Sequence, residues 1–144
     1  RVGRGHLPSA SVIVQTYHPS DPTINFALKS DYLSFYNYLL KKRRKQLLPP
    51  FVYLAKLSVT FKTEKTALTK INTAKSSLNN FITQNRLSSI TLSSPMPCFH
   101  EHTTSGYSWQ IILKSTSRAS LIKALTSLDL KPGYHVSIDP PSLL

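Results

Sequence analysis

The chain has 144 residues, with 18 Lys and Arg against 6 Asp and Glu, five His, one Cys and a formal net charge of +12. That length allows one modest core, or one compact domain with an appendage, and leaves no room for a complete two-lobed ATPase motor. So large a positive excess calls for a polyanionic partner. Nucleic acid leads a membrane surface, because the basic residues are spread along the chain and no helical stretch sets a basic face against a Trp/Phe/Leu face.

No apolar run reaches the roughly 20 residues needed to cross a bilayer, and the first residues lack the apolar stretch of a secretory signal, so a soluble cytoplasmic protein with no membrane partner is expected. Cys98 stands alone and cannot form an internal disulfide, so an ordinary hydrophobic core must supply stability. The chain starts at Arg1 and its only methionine is Met96, so it is expected to be cut from a longer polypeptide.

Residues 11–17, SVIVQTY, form a β-branched run between a Gly/Pro loop and HPSDP, which predicts a buried strand. A helical stretch follows, with Ile24, Phe26, Ala27 and Leu28 available for packing. From Ser30 onward, Tyr32, Phe35, Tyr36, Leu39 and Leu40 recur at intervals of three and four and predict a helix capped by Ser30 or Asp31. It ends in Lys41, Lys42, Arg43, Arg44 and Lys45, where cations suit the negative end of the macrodipole, and Pro49 and Pro50 stop it.

Residues 51–61 alternate, with Phe51, Tyr53, Ala55, Leu57, Val59 and Phe61 on one side, and predict a strand. Over 64–84, Ala67, Ile71, Ala74, Leu78 and Phe81 form a helical stripe with Thr63 as N-cap. Residues 90–99 predict a short irregular strand interrupted by Pro95 and Pro97. It pairs as a hairpin with a second strand in which Tyr107, Trp109, Ile111 and Leu113 alternate with Ser108, Gln110, Ile112 and Lys114. A last helix, capped by Ser117 and burying Leu121, Ile122, Leu125 and Leu128, precedes a closing strand with Tyr134, Val136 and Ile138. From residue 51 the order is strand, helix, strand, strand, helix, strand. This predicts an α+β, ferredoxin-like (split βαβ) domain in which two helices cover a four-stranded antiparallel sheet.

The run at 41–45 is the densest concentration of charge, and its chemistry suits phosphate neutralisation with counterion release, indifferent to base sequence. Lys114 and Arg118 join it as candidate DNA contacts; the competing reading of the run is a solvated helix end that compensates the dipole. Tyr107 and Trp109 offer rings that can stack on bases, against the commoner role of alternating aromatics in a core. Cys98, His100 and His102 alternate, but no fourth metal ligand accompanies them, and no metal site is assigned. No acid, base and nucleophile constellation is present, which argues against a small self-sufficient enzyme.

Several segments in order carry a resemblance: RVGRG followed by SVIVQTYHPSDP, then DYLSFY, RR and PPF, then SSPMP, GYSWQIILKS and VSIDPPSLL. Together they resemble the C-terminal part of the PriA family of primosomal replication-restart helicases. The resemblance implies a division into residues 1–29, the end of the second RecA-like motor lobe with its last strand; 30–50, a basic linker helix; and 51–144, a C-terminal DNA-binding domain. It also implies that Arg1 and Arg4 reach the nucleotide's terminal phosphate in the full-length motor, a 3'–5' DNA helicase using ATP and Mg2+ with zinc held upstream of this stretch.

The chain has no GKS/GKT phosphate loop and is expected to be inactive alone. Implied partners are forked or single-stranded DNA, other primosome proteins and single-stranded-DNA-binding protein, the last through Trp109 and Gln110; the implied location is the bacterial nucleoid. Gly106 and Ser108 stand where relatives commonly have arginines, and Ser94, Leu39 and Ser137 also depart from the family pattern. A stand-alone RNA- or ribosome-binding module of the same ferredoxin-like order is the alternative.

Overall fold

The structure is a computed structural model and describes residues 11–143. Among these residues it holds four helices and five strands, all paired antiparallel. The chain divides into two compact units, residues 1–41 and 42–144.

In the first unit, α1 (Pro22–Leu28) opens with the Asp21 carboxylate accepting from the Thr23 amide at 2.7 Å. The next helix, α2 (Tyr32–Lys45), is capped by Asp31, whose Oδ1 accepts from the Ser34 amide at 3.0 Å. That backbone N–H, then the Ser34 hydroxyl, hold the Asp31 carboxyl below its ordinary range. Phe26 meets Phe35 and Tyr38 at ring-centroid distances of 6.2 and 5.6 Å. The expected apolar face therefore shifts: Phe35 and Tyr38 are half-buried, whereas Tyr32 and Tyr36 stack on each other in solvent.

Residues 11–17 do not form the expected buried strand. They adopt no regular structure, and Ile13 is 93% exposed. A strand needs a neighbour to receive its backbone hydrogen bonds, and no strand among the described residues pairs with this segment.

The second unit carries the core. Its sheet contains β1 (Tyr53–Phe61), β2 (Ile90–Leu92), β3 (Met96–Thr103), β4 (Gly106–Ser115) and β5 (Tyr134–Ile138), in the order β2-β4-β1-β5 with β3 also on β4. With α3 (Glu64–Gln84) after β1 and α4 (Arg118–Thr126) after β4, this is the connectivity of the expected split βαβ. The four-strand expectation needs one correction, because the edge beside β4 is made of two strands. β2 pairs with residues 113–115 of β4, and β3 takes over nearer the hairpin. At the break, the Ser93 amide donates to the Ile112 carbonyl and the Ser93 hydroxyl accepts from the Ile112 amide, both at 2.9 Å. Pro95 and Pro97 lack N–H groups, so an uninterrupted ladder could not form here.

Alternation along β1 and β4 sends Ala55, Leu57, Val59, Ile111 and Leu113 to the helix side. There they pack with Ala67, Ile71, Ala74 and Leu78 of α3 and with Leu121, Ala124 and Leu125 of α4. Thr63 and Ser117 cap these helices as expected, accepting from the Thr66 and Ser120 amides. Ile122 is only half-buried, and Ala124 fills the inward position. The opposite face of the sheet carries Ser58, Thr60, Ser108 and Gln110, with a small apolar cluster of Val52, Leu54 and Ile112 at one end, against which Leu143 packs. No helix among the described residues is long and apolar enough to cross a membrane.

Candidate nucleic-acid interface

The C-terminal end of α2 gathers Lys42, Arg43, Arg44 and Lys45 in its last turn, and these, like Lys41, are exposed. The chain leaving the helix is held by the same residues. Arg43 Nη1 donates to the Pro49 carbonyl at 3.2 Å, and the Arg44 guanidinium lies 4.6 Å from the centroid of Phe51. A further cation arrives from the sheet: Lys114 Nζ donates to the Gln46 carbonyl at 3.1 Å. Carbonyls at a helix's C-terminal end carry partial negative charge, so this contact compensates the dipole and also ties the basic turn to β4. Local contacts thus anchor the turn while its side chains remain exposed.

The structure brings Lys114 to the basic run. Arg118 is exposed in the first turn of α4. Arg1 and Arg4 lie outside the described residues.

Trp109 packs against the main core, and its buried indole N–H has no hydrogen-bond partner. Gln110 is 2% exposed. Its Nε2 donates to the Leu143 carbonyl at 3.1 Å, and its Oε1 receives the Cys98 thiol at 3.6 Å. Burial raises the Cys98 thiol above its ordinary range, with Lys56 pulling the other way.

Sequence reading missed this arrangement. Its only advance signal was Leu54 and Ile112, two apolar residues on an otherwise polar face, which need a covering partner such as Leu143. The alternation proposed for Cys98, His100 and His102 is broken by a register shift between Pro97 and His102. His102 instead packs on the Tyr107 ring at 4.5 Å, and the described residues hold no cluster of three potential metal ligands.

Residues 44–141 match the family described as the primosomal protein N C-terminal domain. The chain belongs to that family. Two chlamydial relatives named Replication restart protein PriA align with 97% of this chain: that of Chlamydia pneumoniae is 26% identical over 146 residues, and that of Chlamydia trachomatis 30%. The protein of the same name from Bacillus subtilis is 42% identical over 60 residues, covering 42% of this chain. The aligned stretch makes up 19% of each chlamydial protein and 7% of the Bacillus one, so the chain spans a fifth or less of these relatives.

Proposed function

We propose that this chain is the C-terminal region of an ATP-dependent DNA helicase that acts in replication restart, and that it binds forked DNA through the basic end of α2. The observation that supports this most directly is the exposed turn Lys42–Arg43–Arg44–Lys45, joined by Lys114, on a domain of the primosomal protein N family. Five cations at one place suit a phosphate backbone, with counterion release supplying sequence-independent affinity. Arg118, exposed at the start of α4, is assigned the same role.

In the whole protein, residues 1–29 complete a RecA-like lobe and residues 30–50 link it to the C-terminal domain. Arg1 and Arg4 contact the nucleotide's terminal phosphate, where fixed guanidinium charge suits phosphoryl transfer. The chain contains no phosphate loop, so the remaining groups for ATP and Mg2+, like any zinc ligands, belong to other parts of such a protein. Its partners are then DNA, other primosome proteins and single-stranded-DNA-binding protein; a contact of the last with Gln110 requires the 142–143 tail to move aside.

The test is fluorescence anisotropy of the chain on forked DNA, plain duplex and structured RNA at fixed salt. Tighter binding to the fork than to RNA is expected. A preference for structured RNA, or no DNA binding at low salt, overturns the reading and favours an RNA-binding module.

A further inference from the structure

The two helices cover one face of the sheet, and the other face is left with a trough of about 550 Å³. Its floor comes from neighbouring central strands: Ser58 and Thr60 on β1 and Ser108 on β4, with the Thr60 and Ser108 hydroxyls 2.8 Å apart. Its rim is β3, where Phe99 and His100 stand next to each other, ring centroids 4.9 Å apart and nearly edge to face. Phe99 is 70% exposed, a large ring that the fold leaves outside both apolar clusters. Among the described residues no carboxylate lines the trough, and Lys56 lies two residues before Ser58 on the same face of β1.

Each feature bears on the choice of ligand. An exposed aromatic ring beside hydroxyls and an imidazole can stack on a flat heterocycle and hydrogen-bond its edge. Single-stranded nucleic acid offers such heterocycles unpaired, and sheet faces bearing exposed rings are a general means of binding them. A duplex hides its bases within the stack. An acidic peptide has no flat heterocycle to lay on the exposed Phe99 ring, whereas an unpaired base has one. The net charge of +12 draws the phosphates, and no acidic side chain among the described residues lines the trough to repel them.

The geometry points to this trough as a base-binding site for single-stranded DNA, in which a base stacks on Phe99 over the Ser58–Thr60–Ser108 hydroxyls. The assignment rests on the DNA-binding reading above and adds a surface distinct from the α2 turn. The turn takes phosphates of any DNA, whereas the trough takes unpaired bases, so together they would engage a fork at its duplex arm and its open strand.

The experiment titrates the chain and its Phe99→Ala, Phe99→Trp and Thr60→Val variants against a short single strand carrying 2-aminopurine, and against a duplex of the same sequence. Circular dichroism confirms that the variants are folded; Phe99 is exposed, so its loss leaves no cavity. Binding of the single strand should change 2-aminopurine emission. Phe99→Ala should weaken single-strand affinity roughly ten-fold while leaving duplex affinity within about two-fold, and Phe99→Trp should restore it.

Unchanged single-strand affinity in Phe99→Ala, with salt-sensitive duplex binding intact, overturns the trough assignment and leaves the phosphate-binding turn standing. Equal losses on single strand and duplex also overturn it. Displacement of the single strand by an Asp-rich peptide that itself loses affinity in Phe99→Ala would make the trough a peptide site instead. Binding of neither DNA by the unmodified chain would end both readings.

Discussion

The two units of this chain are built from similar residues and reach opposite outcomes. In residues 42–143, Leu57, Ile71, Leu78, Ile111 and Leu121 are fully buried, and every β1 residue from Ala55 to Val59 has a partner on both sides. In residues 11–41, the helix α1 buries nothing completely, and Val12, Ile13 and Val14 are exposed although their composition is that of a central strand. The difference is one of neighbours. β-branched residues favour a pleated surface only where other strands and a covering layer exist, and apolar area stabilises only when it leaves water.

Substitutions sharpen this contrast in a graded way. Leu57→Ala should have the largest effect: it opens a cavity beneath both helices and should cost about 2–5 kcal/mol in chemical denaturation. Ile13→Ala removes a comparable side chain and should change stability by less than about 0.5 kcal/mol. Equal losses at the two positions would break the distinction between the units.

Gly106→Ala should follow. Gly106 sits at φ +123°, and a Cβ there would lie 2.3 Å from the Phe61 carbonyl oxygen, so β1 and β4 would be forced apart; a loss of at least about 1–3 kcal/mol is expected from the same denaturation curves. Thr63→Ala removes the cap of α3 and should cost about 1 kcal/mol.

The smallest effect is the pH response of α2. The Asp31 carboxyl is held below its ordinary value of 3.8, so its contribution to the cap is fully present above that pH. It is lost as pH falls through the lower, folded-state value. Protection of the Ser34 amide, relative to the intrinsic exchange rate at each pH, should therefore fall only below the ordinary carboxyl value of 3.8; a loss already near pH 6 would contradict the capping role.

Alternation over β1 and β4 and the stripe on α3 were readable because each buries one face in a fixed period, and Thr63 and Ser117 announced the helix starts. β3 was not readable at full length. Its HEHT segment is polar, its prolines argue against a strand, and it pairs through a bulge. The strand expected at 11–17 failed because composition describes what a strand is made of and not whether another strand lies beside it.

The basic turn was visible as a charge run, but its tie to Lys114 depends on a contact between residues 68 apart. The burial of Gln110 likewise depends on Leu143, 33 residues away. The trough was hidden for the same reason, since its hydroxyls and its ring come from three strands.

The central claim is that the end of α2 is a phosphate contact, and it is tested most directly by the salt dependence of forked-DNA affinity, with Lys41, Lys42, Arg43, Arg44 and Lys45 changed together to neutral residues. Each lost phosphate contact should flatten the slope of log affinity against log salt by roughly 0.9. The account predicts weaker binding with a slope shallower by at least about two such contacts; an unchanged slope would contradict it and return the run to a helix-end role alone.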